Sequence, residues 1–119
     1  MPVEGGVVWA AWDEDYLNVR AEIIDSAPVS FADGPKQRTW ELGDVLEIFI
    51  HPDRSREDYF EFHVTPHNVL LDLHIPSATR VDEGWERRMS FHSGTRSRVR
   101  IKRGGWVADV SVPWECLGI

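Results

Sequence analysis

Glu47, Glu61, His63, Thr65, Asp72 and His74 recur at alternate positions along three short segments. Arg20, Glu22, Arg98, Arg100 and Asp109 do the same along three others. A spacing of two puts such side chains on one side of an extended chain. If these strands neighbour one another, carboxylate, guanidinium and imidazole groups make a continuous hydrogen-bonding floor. A floor of this kind suits a ligand rich in hydroxyls, because planar and bidentate side chains read hydroxyls well. The competing reading is cross-strand ion pairing on a solvated sheet, each pair contributing ~0.2–1 kcal/mol.

Six tryptophans weigh toward a ligand. Trp9 and Trp106 stand in phase with apolar positions and are expected in the core. Trp12 and Trp114 stand near strand ends and suit either role. Trp40 falls in the polar stretch Arg38-Thr39-Trp40-Glu41-Leu42-Gly43-Asp44, and Trp85 in a second polar loop between Gly84 and Glu86. A large ring in a polar loop is costly unless it packs or binds something. Indole stacks on the C–H face of a pyranose while a polar floor takes its hydroxyls. The alternative for Trp40 is a lid folded back on the core edge.

The elements that must position these groups are strands. Leu17, Val19, Ala21 and Ile23 alternate with Tyr16, Asn18, Arg20 and Glu22. Leu46, Ile48 and Ile50 alternate with Val45, Glu47 and Phe49. Phe60, Phe62 and Val64 alternate with Tyr59, Glu61 and His63. Val69, Leu71 and Leu73 alternate with Leu70, Asp72 and His74. Ser97, Val99 and Ile101, then Trp106, Ala108, Val110 and Val112, complete the set. Asp13-Glu14-Asp15, His51-Pro52-Asp53, Pro66-His67-Asn68 and Arg103-Gly104-Gly105 punctuate as turns, the last as a tight hairpin. No stretch of a dozen residues carries a helical stripe. The expectation is one all-β domain over residues 1–119, an antiparallel β-sandwich of immunoglobulin or jelly-roll type. Residues 26–43 and 76–90 are its long connections, where function concentrates.

Composition excludes several classes. The chain has 119 residues, 20 acids against 13 bases and a net charge of −7, which disfavours nucleic-acid and anionic-membrane partners. Residues 1–76 hold 15 acids and 5 bases, residues 77–119 only 5 acids and 8 bases, so the halves are expected to meet across strands. The run Arg96-x-Arg98-x-Arg100-x-Lys102-Arg103 is therefore read as a paired or solvated face rather than a nucleic-acid site. Cys116 stands alone, so no disulfide framework exists within the chain. No apolar run approaches the roughly 20 residues of a membrane helix, and Met1-Pro2-Val3-Glu4 is not a basic leader start.

Four blocks carry a family resemblance. Trp12-Asp13-Glu14-Asp15-Tyr16-Leu17-Asn18-Val19 with Asp25 opens it. Trp40-Glu41-Leu42-Gly43-Asp44-Val45-Leu46-Glu47-Ile48-Phe49-Ile50 is its most specific part. Tyr59-Phe60-Glu61-Phe62-His63-Val64 follows, and Gly105-Trp106-Val107-Ala108-Asp109-Val110-Ser111-Val112-Pro113-Trp114 closes it. In order and spacing these resemble a family 9 carbohydrate-binding module over about residues 9–118. The resemblance implies a non-catalytic sandwich that binds glucan (cellulose) or xylan, commonly attached to a secreted hydrolase, in an extracellular or periplasmic setting. It implies structural calcium as the one cofactor. A sugar would slot between two tryptophans, with Trp40 as the first and Glu47 beneath the ring. His63 and Thr65 fall where the family has Arg and Asn. The candidate carbohydrate contacts are thus Trp40, Glu47, Glu61, His63, Thr65, Trp85 and Arg98. Relative to the family, the first strand is largely missing before Val7 and the second slot tryptophan would fall beyond Gly118-Ile119. The sandwich is expected to be short of terminal strands, with Trp85 as the candidate substitute. A fragment, a shortened variant and a relative without the slot all fit.

Two rival chemistries remain. Glu47 and Glu61 could be a glycosidase pair, but a small sandwich offers little cleft, and neighbouring Arg and His would keep both acids ionised. Glu61-x-His63 and Asp72-x-His74 could place four ligands on one face for a zinc-type ion. A haem-binding DOMON-type domain, with Met89 and a histidine as axial ligands, is the related alternative. Asp25 and Asp53 are the calcium candidates, with backbone-capping turns as the competing reading.

Overall fold

The computed structural model describes residues 5–34, 36–77 and 85–119, with the side chains of Trp85 and Glu86 outside the description. Seven strands form two antiparallel sheets. Strands β1 (Gly6–Trp12), β2 (Tyr16–Ile24), β7 (Gly105–Pro113) and β6 (Arg96–Lys102) make a four-stranded sheet in that order. Strands β3 (Leu46–Ile50), β4 (Tyr59–Val64) and β5 (Leu70–Ile75) make the second. A five-residue helix, α1 (Trp85–Met89), and two 3-10 turns, Thr39–Glu41 and Trp114–Leu117, complete the order. The all-β sandwich expected from alternation is the fold observed.

The core lies between the sheets. Trp106, Ala108, Val110 and Val112 of β7 meet Phe60, Phe62 and Val64 of β4, all buried. Leu17, Ile23, Leu46, Ile48 and Ile50 pack around them. Each large apolar side chain so buried contributes about 1.5–3 kcal/mol, so the pleat of β4 and β7 fixes which way every other residue faces. The β6–β7 hairpin turns at Arg103-Gly104 with Lys102 opposite Gly105, as the glycine pair predicts. The β1–β2 turn is closed by Asp13, whose Oδ1 accepts the amides of Asp15 and Tyr16, both at 2.8 Å.

Two expectations are corrected here. Strand β1 was not legible by alternation, because Val7-Val8-Trp9-Ala10-Ala11-Trp12 is an unbroken apolar run, and every residue of it is exposed. Trp9 is not a core residue: it lies opposite Arg20, on the outer face of its sheet, and is 48% exposed. Trp106 does fill the core at 1% exposure. Trp114 packs against the core edge and donates its indole N–H to the Asp13 carbonyl at 3.0 Å. Trp12 is open to solvent.

The second correction concerns β5. Its register sets Leu70 opposite Val64, Asp72 opposite Phe62 and His74 opposite Phe60. Asp72 and His74 therefore share the inner side with the core phenylalanines, and Leu71, Leu73 and Ile75 take the outer side. The inversion is possible because both faces of β5 are covered. Outside, Trp40, Tyr59 and Met89 pack over Leu71, Leu73 and Ile75. Inside, the polar groups find partners. Lys36 Nζ donates to Asp72 Oδ1 at 2.6 Å, and Ser93 donates its amide and hydroxyl to Oδ2 at 2.8 and 2.7 Å. His74 stacks on Phe60 at 4.7 Å and bonds Asp58 at 2.9 Å.

Candidate functional site

Trp40 reaches its place by three fastenings of the 26–43 connection. Ser30 and Gly43 bridge as an isolated antiparallel pair, flanked by Phe31 N–H donating to the Leu42 carbonyl and Asp44 N–H to the Val29 carbonyl, both at 2.8 Å. Lys36, on the same connection, is anchored to Asp72 of β5. Thr39, fully buried, shares a 2.9 Å hydrogen bond with His63 Nδ1 on β4. The 3-10 turn Thr39–Glu41 then sets the Trp40 ring edge-on to the His63 ring, with centroids 5.5 Å apart and planes at 74°.

Gly43 is indispensable to this arrangement. Its φ is +138°, and a Cβ there would stand 2.4 Å from the Val29 carbonyl oxygen. Gly43→Ala is expected to destabilise the fold by about 1–3 kcal/mol, from backbone strain plus the lost bridge. It should also weaken ligand binding through a displaced Trp40. Thermal melting and ligand titration of the same variant check both, and a variant that melts and binds like wild type would contradict the argument.

Beneath Trp40 the outer face of the three-stranded sheet is ordered by register. Glu47 lies opposite His63, and Phe49 opposite Glu61. His63 is 1% exposed and spends both ring nitrogens, Nδ1 on Thr39 and Nε2 on Glu61 Oε1 at 3.0 Å. A carboxylate only accepts, so in the neutral ring Nε2 carries the proton and Nδ1 accepts from the Thr39 hydroxyl. Glu47 Oε1 stands 3.8 Å from Nδ1. Phe49, 59% exposed, stacks near both Tyr59 and His63. The surface thus presents Trp40, Phe49 and Tyr59 around Glu47 and Glu61, with His63 as the post that orients them.

Of the seven residues read from sequence, Trp40, Glu47, Glu61 and His63 come together on this face. Thr65 does not reach it as a contact: it is fully buried, and its hydroxyl accepts the Val69 amide in the β4–β5 turn. Arg98 lies on the other sheet, opposite Asp109. Trp85 opens α1, and its side chain lies outside the described residues. Phe49 and Tyr59 were missed as ligand candidates. Their signal was present, since both alternate in phase with Glu47 and Glu61.

The rival constellations separate. The β4–β5 register turns Glu61 and His63 outward and Asp72 and His74 inward, so the four cannot share a metal or a haem edge. Met89 packs on Leu71, Leu73 and Ile75. Among the described residues no group of three or more His, Cys, Asp or Glu side chains stands ready for a metal ion. Asp25 caps the Ala27 amide at 3.0 Å, and Asp53 takes the amide and hydroxyl of Ser55, each at 2.9 Å. Burial pushes the Cys116 thiol up to about 11, which makes it a poor nucleophile.

The two-layer sandwich thus gathers aromatic and carboxylate groups on the outer face of its three-stranded sheet. The chain belongs to the carbohydrate family 9 binding domain-like family, whose model matches residues 5–119. Among solved structures it is similar to a family 9 carbohydrate-binding module from Caldicellulosiruptor kristjanssonii, determined in complex with glucose. The TM-score is 0.64 at 17% identity, covering 95% of this chain and 51% of that one, so the chain spans about half the neighbour's length. No curated protein matches the chain.

Proposed function

We propose that this domain binds saccharides without transforming them, through the outer face of the three-stranded sheet, and that its ligand is a β-linked glucan or xylan. The observation that carries the reading is the seating of Trp40 over His63, with Glu47 and Glu61 alongside. An indole in that position stacks on the apolar face of a pyranose, and the two carboxylates accept its hydroxyl protons. His63 is a positioning residue, since both nitrogens are already engaged. Glucose in the Caldicellulosiruptor module supports a pyranose-based chain, the ring form that glucan and xylan share. Such a ligand fits a module that works outside the cytoplasm beside a polysaccharide-degrading enzyme.

A catalytic role for Glu47 and Glu61 is disfavoured. The two are engaged by one histidine on the outer face of a sheet, Glu61 Oε1 lying 3.0 Å from Nε2 and Glu47 Oε1 3.8 Å from Nδ1. Isothermal titration with cellobiose, xylobiose and the monosaccharides, before and after chelator treatment, tests the proposal. Heat with either disaccharide in both conditions is expected. Heat lost on chelation would assign calcium a part in building the site. Absence of heat with every sugar would overturn the reading.

A further inference from the structure

The outer face of the four-stranded sheet points away from Trp40 and is a regular grid. One row runs Trp9–Arg20–Asp109–Arg98 across all four strands, because Trp9 pairs with Arg20, Arg20 with Asp109 and Asp109 with Arg98. The row above runs Ala11–Asn18–Ser111–Arg96, and the row below Val7–Glu22–Val107–Arg100. At about 4.8 Å per strand, each row is ~14 Å long. One margin is an exposed indole, the other a column of exposed arginines, and the middle is polar. Arg20 bonds Asp109 through two nitrogens at 2.7 and 3.0 Å, and Ser111 donates to Asn18 at 2.7 Å. Two adjoining hollows lie over this floor and share Arg20 and Asp109. One, of about 200 Å³, includes Trp9, Asn18 and Ser111. The other, of about 220 Å³, includes Glu22, Arg98 and Arg100.

Charge sets this face apart from the rest of the molecule. It carries Arg20, Arg96, Arg98, Arg100 and Lys102 against Glu22 and Asp109, on a chain of net charge −7. Asp109 is committed to Arg20, and Glu22 stands 3.8 Å from Lys102. Lys102 is thus paired across the strands and Asp109 also acts on the facing Arg98, while Arg96 and Arg100 stand exposed, in line with the paired or solvated face read from sequence.

We propose that this face is a second saccharide-binding surface, selective for chains that carry hexuronic acids. Trp9 stacks on one sugar ring, Asn18, Asp109 and Ser111 take hydroxyls, and Arg98 with Arg100 receives the uronate carboxylate, for which a guanidinium is the matched bidentate partner. The mixture of donors and acceptors favours this ligand over nucleic acid. Asp109 and Glu22 would repel a line of phosphates, whereas they accept from hydroxyls. The surface does not depend on the Trp40 site, so either can fail alone.

The test is titration with trigalacturonate and with triguluronate, neither of which contains a β-glucan or xylan backbone, using neutral xylotetraose as the control. The wild-type domain is expected to bind both uronates, more weakly as salt rises. R98Q/R100Q should weaken them about tenfold or more, and W9A by a similar factor. Neutral xylotetraose should bind R98Q/R100Q as it binds wild type, and W40A should leave uronate binding within about twofold. Binding of one uronate alone would identify the source of the carboxylate. Uronates bound equally by R98Q/R100Q, or lost in W40A, would overturn the proposal. So would retention of duplex DNA or phosphatidylserine vesicles with no uronate binding.

Discussion

Trp40→Ala is expected to abolish detectable binding of cellobiose or xylobiose while the sandwich stays folded. The indole is the largest ring on the outer face, beside the smaller Phe49 and Tyr59, and truncating such an aromatic anchor costs about 2 kcal/mol or more. At a wild-type Kd of about 1 mM, roughly −4 kcal/mol, a loss of that size takes binding below measurement. The fold survives because Trp40 packs at the margin of the Leu71, Leu73 and Ile75 cluster and not in the core between the sheets. Trp40→Phe keeps a smaller stacking face and should bind with intermediate affinity. Circular dichroism and melting establish that both variants are folded, and titration reads the binding. Wild-type affinity in folded Trp40→Ala would remove Trp40 from the site.

Asp72→Ala should lower stability by about 3 kcal/mol, and Tm by roughly 12 °C at a scale of ~4 °C per kcal/mol for a domain of this size. The carboxylate is 8% exposed and receives Lys36 on one oxygen and two donors of Ser93 on the other. Its loss removes the counter-charge of Lys36, which keeps the backbone carbonyls of residues 72 and 91 as acceptors, and leaves the buried Ser93 amide without its acceptor. It also weakens the tie of the connection that carries Trp40, whose Lys36 then holds β5 and the segment before β6 through backbone carbonyls alone. Burial alone would raise the Asp72 pKa, but the bonds from Lys36 and Ser93 outweigh it and hold the carboxyl below the ordinary 3.8. Asp58 is held well below that value too, chiefly by Arg56 and then by His74. A folded-state pKa below the unfolded one stabilises the protein fully above the unfolded value and less as pH falls through the folded one. Wild type should therefore lose stability steeply below about pH 4, and Asp72→Ala should show a shallower acid slope. Urea midpoints at pH 7, 5, 4 and 3 measure this, and parallel slopes for the two proteins would refute it.

Strand positions were legible in β2, β3, β4, β6 and β7, since each buries one face and alternates accordingly. In β1 and β5 the pattern misled for opposite reasons. Strand β1 has neither face covered, so its apolar run carries no phase, and Trp9 was assigned inward. Strand β5 has both faces covered, so its alternation is real but does not say which side is the core. Leu71 and Leu73 look like core residues because they are buried, under Trp40 and Met89 instead of under the opposite sheet.

By itself the sequence determined the sandwich class, the β6–β7 turn, the Trp40-to-Ile50 block and the gathering of Trp40, Glu47, Glu61 and His63. The class and the turn rest on short-range facts, namely period and turn chemistry, whereas the joining of Trp40 to the strand face came from the family resemblance. Only the tertiary structure decided that Arg98 stands on the opposite layer from Trp40, that Asp72 and His74 face inward, and that Thr65 serves a turn. Pairing register and strand order set those outcomes. A shift of one residue between β4 and β5, or a different partner for β6, would leave the alternation unchanged and turn each of those side chains to another face.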